Sequence, residues 1–239
     1  IFPGSRAKAV FGGGASQPSD RSLTEWMAAT IAEYVLPRVQ ILIDYHCGFS
    51  GFSIVESIAR PGNTEGKTQI SFDVCRHANL GVIVQSGAQR PISATGYAAS
   101  LGAVTVGFEI GGGGLSGAAQ RKALEIGAAA TRNAMRFLGM LPGEPEAHGR
   151  QLVATRQPHV RPTKAGYLVT RYDPDGLFAR SPLGIPMSEG ELLGTVFDAH
   201  TLQEVERLTA PVDGILNFCR VSGPVEAGAY AYAVTAYEG

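Results

Sequence analysis

The first clear alternation of apolar and polar positions starts at Ser22. Ser22, Leu23, Thr24 and Glu25 form a capping box, in which the serine accepts from the N3 amide while the glutamate reaches back to the cap. Leu23, Trp26, Met27, Thr30, Ile31 and Tyr34 then recur at helical spacing until Pro37, which predicts an amphipathic helix with Trp26 and Met27 in the core. Ile41, Leu42 and Ile43 read as a short buried strand ending at Asp44–Gly48. Leu80–Val84 predicts a second buried strand, Ser93 caps a helix running to about Leu101, and Ala103–Ile110 predicts a third strand. Four glycines, Gly111 to Gly114, precede a long helical pattern from near Ser116 that carries Leu124, Ile126, Ala130, Met135 and Leu138 and ends with Gly139 at C′. Strands alternating with helices predict an α/β fold with a mostly parallel sheet covered by helices on both faces.

The pattern changes after Leu141. Pro142, Gly143 and Pro145 punctuate the chain, and from about Gln151 the apolar runs are short, β-rich and separated by Gly and Pro. Two domains are expected, an α/β domain over 1–145 and a β-rich domain over 146–239, the second a small barrel or sandwich.

Composition narrows the partners. The chain has 239 residues, 44% of them hydrophobic and 17% charged, with twenty basic against twenty-one acidic side chains. That is enough apolar material for a sizeable core, and it gives no basic field for nucleic acid or an anionic membrane. No apolar run approaches the roughly 20 residues that cross a bilayer. The three cysteines, Cys47, Cys75 and Cys219, form no CxxC pair, which argues against a disulfide framework or a thiolate zinc site and favours a cytoplasmic chain.

Two residues stand out for chemistry. Asp44 and His46 are two apart on a predicted strand and share a face, so a carboxylate can orient an imidazole at the strand's carboxyl end; the alternative is an ordinary hydrogen-bonded histidine. Glu109 closes an apolar strand just before the four glycines, a place suited to a general base or acid; the alternative is a glutamate that simply leaves the sheet and meets water. The glycine run lacks the endings of a phosphate loop and of a dinucleotide fingerprint. Arg90, before Pro91, is a candidate clamp for a substrate carboxylate, against an ordinary solvated arginine. Adjacent strand residues point to opposite faces, so Cys47 is expected to pack in the core. His200, at a hairpin tip, is expected in solvent.

Phe2-Pro3-Gly4, Asp44–Gly48, Val106–Gly114, Arg161-Pro162 and Ala210–Gly214, in that order and spanning nearly the whole chain, resemble the succinylglutamate desuccinylase/aspartoacylase family of zinc-dependent deacylases, related in fold to zinc carboxypeptidases. The resemblance implies a zinc-dependent amidohydrolase that removes an acyl group from an N-acyl amino acid or related small amine. It implies that His46 is a zinc ligand and that Glu109 activates the attacking water. In the family, a His-x-x-Glu pair and an Asn-Arg pair precede Phe-Pro-Gly. This sequence opens at Ile1 and none of its histidines begins a His-x-x-Glu, so the expectation is that a leading segment is missing. A homo-oligomer is a further expectation, since a β-rich tail and an incomplete sheet both favour association. A metal-free binding or regulatory relative is the alternative reading. A carrier domain is rejected, because the hairpin tip reads Asp198-Ala199-His200-Thr201 and has no lysine to modify.

Overall fold

The structure is a computed structural model that describes residues 22–48, 52–54, 57–85, 93–112, 117–147, 149–172 and 185–237. These fall into two compact units. One holds the described residues up to Asp44, Pro61–Asp73 and those from 93 to Gly107; the other holds Tyr45–Arg60, Val74–Gln85 and everything from Phe108 onward.

In the first unit, helix α1 (Leu23–Thr30) carries the expected capping box. The Ser22 amide donates to Glu25 Oε2 at 2.7 Å, and the Glu25 amide donates to Ser22 Oγ at 3.3 Å. The helix continues through a π turn, Ile31–Val35, and a 3-10 turn, Leu36–Arg38. Its buried stripe is Ala29, Ala32 and Leu36; Ala32 and Leu36 pack with Ala98 and Ala103, and Ala98 lies on helix α3 (Ala94–Ser100). Trp26 and Met27 are 47% and 57% exposed, contrary to the expectation that they are core. Over Leu23–Thr30 the helix buries Ala29, whose small side chain allows close approach, and turns Leu23, Trp26 and Met27 outward. Thr105, near the start of the third predicted strand, is fastened by its carbonyl, which accepts from the Gly62 amide at 2.8 Å and from Ser71 Oγ at 2.6 Å.

The elements that follow either match or correct the sequence pattern. Strand β1 spans Ile41–Gly48, β4 spans Val82–Val84 and β5 spans Val104–Gly112. Helix α4 (Gly117–Phe137) ends in a Schellman motif: Gly139 has φ +71°, the Met140 amide donates to the Met135 carbonyl and the Gly139 amide to that of Arg136. Strands β2 (Phe52–Ile54) and β3 (Ile58–Pro61) and helix α2 (Thr68–Ala78) lie between β1 and β4, where the sequence pattern predicts no element. Ile70, Val74, Cys75 and Ala78 give α2 a narrow apolar stripe too short to stand out.

The second unit is built on a mixed sheet that also takes in β6 (Leu152–Arg156), β7 (His159–Val160), β9 (Ile185–Met187), β12 (Gly214–Arg220) and β14 (Tyr232–Tyr237). Among the described residues the order is β7-β14-β6-β4-β3-β5-β2-β12-β9, with β1 also on β5 and β14 also on β12. The expected α/β class holds, and β3, β4 and β6 pair in parallel. The strands added around them, β2, β7, β9, β12 and β14, pair antiparallel. A separate antiparallel sheet, β11-β10-β8-β13, comprises Glu204–Thr209, Leu192–Phe197, Gly166–Thr170 and Gly223–Val225.

The two sheets meet as a sandwich. Leu168, Leu193, Val196, Leu208 and Val225 from the small sheet pack with Met187, Leu216, Cys219, Tyr232 and Val234 from the large one. The β-rich segment therefore does form a sandwich, but strands β12 and β14 serve both it and the α/β sheet. Their opposite faces join a second apolar cluster of Ile58, Val82, Leu152 and Ile215, with Phe218 packed against it.

Candidate active site

Strand alternation builds the site. On β1, Tyr45 packs edge-on against Phe108 of β5, ring centroids 5.4 Å apart, and its hydroxyl bonds to Thr131 of α4. Burial raises the Tyr45 pKa, and the Thr131 hydrogen bond opposes that rise. Phe108 and Ile110 alternate with Glu109 on β5, and the Ile110 side chain lies beside Gly127 of α4. With one face of both strands committed to α4, the neighbouring residues His46 and Glu109 turn to the other. There they line one cavity of about 250 Å³ with Cys47, Gly48, Ile58 and Arg60.

The remaining wall comes from the C-terminal half of the chain, through Gln157, His159, Phe218, Tyr230 and Ala233. The side chain of Glu109 is 24% exposed and pairs with Arg60, whose Nε lies 3.5 Å from Glu109 Oε1. An Arg60 terminal nitrogen donates to Gln157 Oε1 at 3.0 Å. His159 meets Tyr230 edge-on at 5.0 Å and Phe218 at 6.4 Å. Its pKa is lowered by burial first, then by the positive charges of Arg60 and Arg161. The guanidinium of Arg161 lies 3.5 Å over the Tyr230 ring.

Phe218 reaches the cavity because of a bulge. Ile215 belongs to the cluster with Ile58 and Leu216 to the sandwich core, so strict alternation would return Phe218 to the core. The β12–β14 register shifts between Leu216 and Phe218, and the extra residue, Asn217, sends Phe218 to the cavity and Cys219 back to the core.

The sequence candidates fare unequally. His46 and Glu109, from strands far apart in the chain, come together. Asp44 is half-buried on β1 and is not among the cavity-lining residues. Cys47 is exposed and lines the cavity instead of packing in the core, because β1 runs past its buried part there. Arg90 lies outside the described residues. His200 is exposed, as expected. Arg60, Gln157, His159, Phe218 and Tyr230 carry no motif, and only Arg161-Pro162, beside His159, hints that this region is special.

Zinc is the metal implied by the resemblance. A catalytic zinc site takes three protein donors and a water. Among the described residues no group of three His, Cys, Asp or Glu could hold a metal ion, so these residues alone do not fit one. Nor, among the described residues, is any helix long and apolar enough to cross a membrane.

Comparison with curated proteins finds no match. Among solved structures, the chain is similar to the apo ectoine utilization protein EutE (DoeB) of Ruegeria pomeroyi, with TM-score 0.71, 22% identity and 90% of this chain covered. It is similar to a succinylglutamate desuccinylase of Silicibacter sp. at TM-score 0.74 and 22% identity over 92% of this chain. It is also similar to a succinylglutamate desuccinylase/aspartoacylase of Rhodobacter sphaeroides at 0.75 and 17% over 94%. These likenesses show the fold, and the chain spans 66%, 64% and 66% of those three proteins. A profile of the succinylglutamate desuccinylase/aspartoacylase catalytic domain matches residues 2–138, more than half of the sequence, and the chain belongs to that family.

Proposed function

We propose that the chain carries the catalytic part of a hydrolase that cleaves the amide bond of a small N-acylated amino acid or amine. The observation that carries the reading is that His46 and Glu109 line one cavity. Glu109 is the proposed general base. Its carboxylate takes a proton from water as the oxygen attacks the amide carbon; the C–N bond then breaks, and the proton passes to the leaving nitrogen, giving a carboxylate and a free amine. Zinc belongs to the proposal, with His46 the donor contributed by the described residues and its other donors lying outside them.

The test is hydrolysis of a panel of N-acyl amino acids by the full-length protein, with and without added zinc, repeated on Glu109→Gln. At least one substrate should be turned over in a zinc-dependent way, and Glu109→Gln should lower kcat by about 10²–10⁴-fold. Turnover that survives the substitution would remove Glu109 from the mechanism. A protein that turns over nothing and holds no zinc would favour a metal-free binding relative, the reading suggested by the lack of a metal cluster among the described residues.

A further inference from the structure

We infer that Arg60 is a positioning residue that aims the Glu109 carboxylate, and that it is itself held by a hydrogen-bonded relay from Gln157 and Thr235; this rests on the base role proposed for Glu109. Arg60 is the penultimate residue of β3, and its guanidinium spans two partners, with Nε 3.5 Å from Glu109 Oε1 and a terminal nitrogen 3.0 Å from Gln157 Oε1. Gln157 Nε2 in turn donates to Thr235 Oγ1 at 3.3 Å, and Thr235 is fully buried on β14.

The direction of each bond is forced. Arginine only donates, so Gln157 must offer Arg60 its carbonyl, which leaves its amide nitrogen for the Thr235 hydroxyl. The guanidinium is a rigid plane, so fixing one of its ends at Gln157 fixes where Nε points. A glutamate side chain has three rotatable bonds and would otherwise sample many positions, at a cost in rate that grows steeply with misplacement. The pair assigns Oε1 of Glu109 to Arg60 and leaves Oε2 to take the proton. Through this relay the orientation of a side chain on β5 depends on a buried hydroxyl near the end of the sequence.

The test has two arms, both on the full-length protein. In the first, the Arg60 Nε–H resonance is followed by NMR. In the wild type it should be protected from exchange, and in Gln157→Leu it should move to the position of a free arginine; an unmoved resonance would overturn the relay. The second arm measures kcat and KM on a substrate the wild type turns over. Arg60→Gln and Gln157→Leu should each lower kcat about tenfold with KM within about twofold, and the double variant should be no worse than Arg60→Gln alone. Thr235 lines no part of the cavity, so Thr235→Val should lower kcat a few-fold while Thr235→Ser keeps it. Unchanged kcat in either single variant, or losses that multiply in the double variant, would refute the inference. A wild type that hydrolyses no acyl amine would refute the deacylase reading instead, and the resonance would still decide the relay.

Discussion

Replacing Gly214 by alanine should damage the fold and the site together. A Cβ built on Gly214 would lie 2.2 Å from the Thr235 carbonyl oxygen and 2.7 Å from its carbon, where ordinary contact begins at 3.4 Å. The obstacle is backbone, so no side chain can swing away. Gly214 opens β12, the next residue pairs with Thr235 on β14, and Met187 of β9 flanks Gly214 on the other edge. The strands must part by roughly 1 Å, an overpacking strain of about 1–3 kcal/mol, and the ladder bonds that stretch add about 1 kcal/mol each. A total near 3–4 kcal/mol corresponds to a fall in Tm of roughly 10 °C for a chain of this size. The matched control is Gly127→Ala, in the middle of α4, where the new methyl meets Ile110 Cδ1 at 3.8 Å and Tyr45 Cε1 at 4.0 Å, both ordinary contacts. Alanine is favoured over glycine inside a helix by about 0.5–1 kcal/mol, so this variant should melt about 2–4 °C higher. Thermal unfolding by circular dichroism reads both. A Gly214→Ala protein melting within a degree of wild type would show that β12 and β14 are not packed as closely as described.

Two further outcomes follow from titration and exposure. The folded protein holds the His159 pKa below its ordinary value near 6.5, so the unfolded chain takes up this proton first; stability should be flat well above that pH and fall as the pH drops from about 6.5 through the folded value. His159→Phe should remove that part of the decline, and urea midpoints compared at pH 7.5 and 5.5 would count against the reading if wild type and variant fell equally. Burial pushes the Cys75 thiol up to about 12 and Cys219 is also buried, whereas Cys47 is exposed in the cavity. A thiol reagent should label Cys47 in the native protein and reach the other two only in denaturant, with mass mapping of the label as the check.

Local chemistry made much of the fold legible. The Ser22 capping box, the strand ending at Asp44–Gly48 and the C′ role of Gly139 are written in a few adjacent residues, and each appears where those residues put it. The burial of α1 was not legible, because its pattern identifies an apolar face without saying which neighbours are available; the helix seats Ala29, Ala32 and Leu36 and leaves Leu23 76% exposed. Of the site, His46 and Glu109 could be found because each closes an apolar strand with a polar group. Arg60, Gln157 and His159 could not, since what matters in them is convergence across about a hundred residues of chain.

Phe218 shows why the far wall escapes any reading based on period. Alternation through Ile215 and Leu216 assigns Phe218 to the sandwich core, and only the inserted Asn217 reverses it. Deleting Asn217 places Phe218 directly after the core residue Leu216, so simple alternation should then hold the ring in the cavity wall and Cys219 in the core, with Cys219 still closed to a thiol reagent in the native protein. A strand that kept Asn217 without the bulge would instead send Phe218 into a core already filled by Leu168, Leu193 and Tyr232 and open the cavity wall at the same step. Such coupling is expected wherever one strand faces a core on one side and a site on the other, and β12 and β14 are both in that position. Changes in this segment should therefore seldom alter the site without also altering stability.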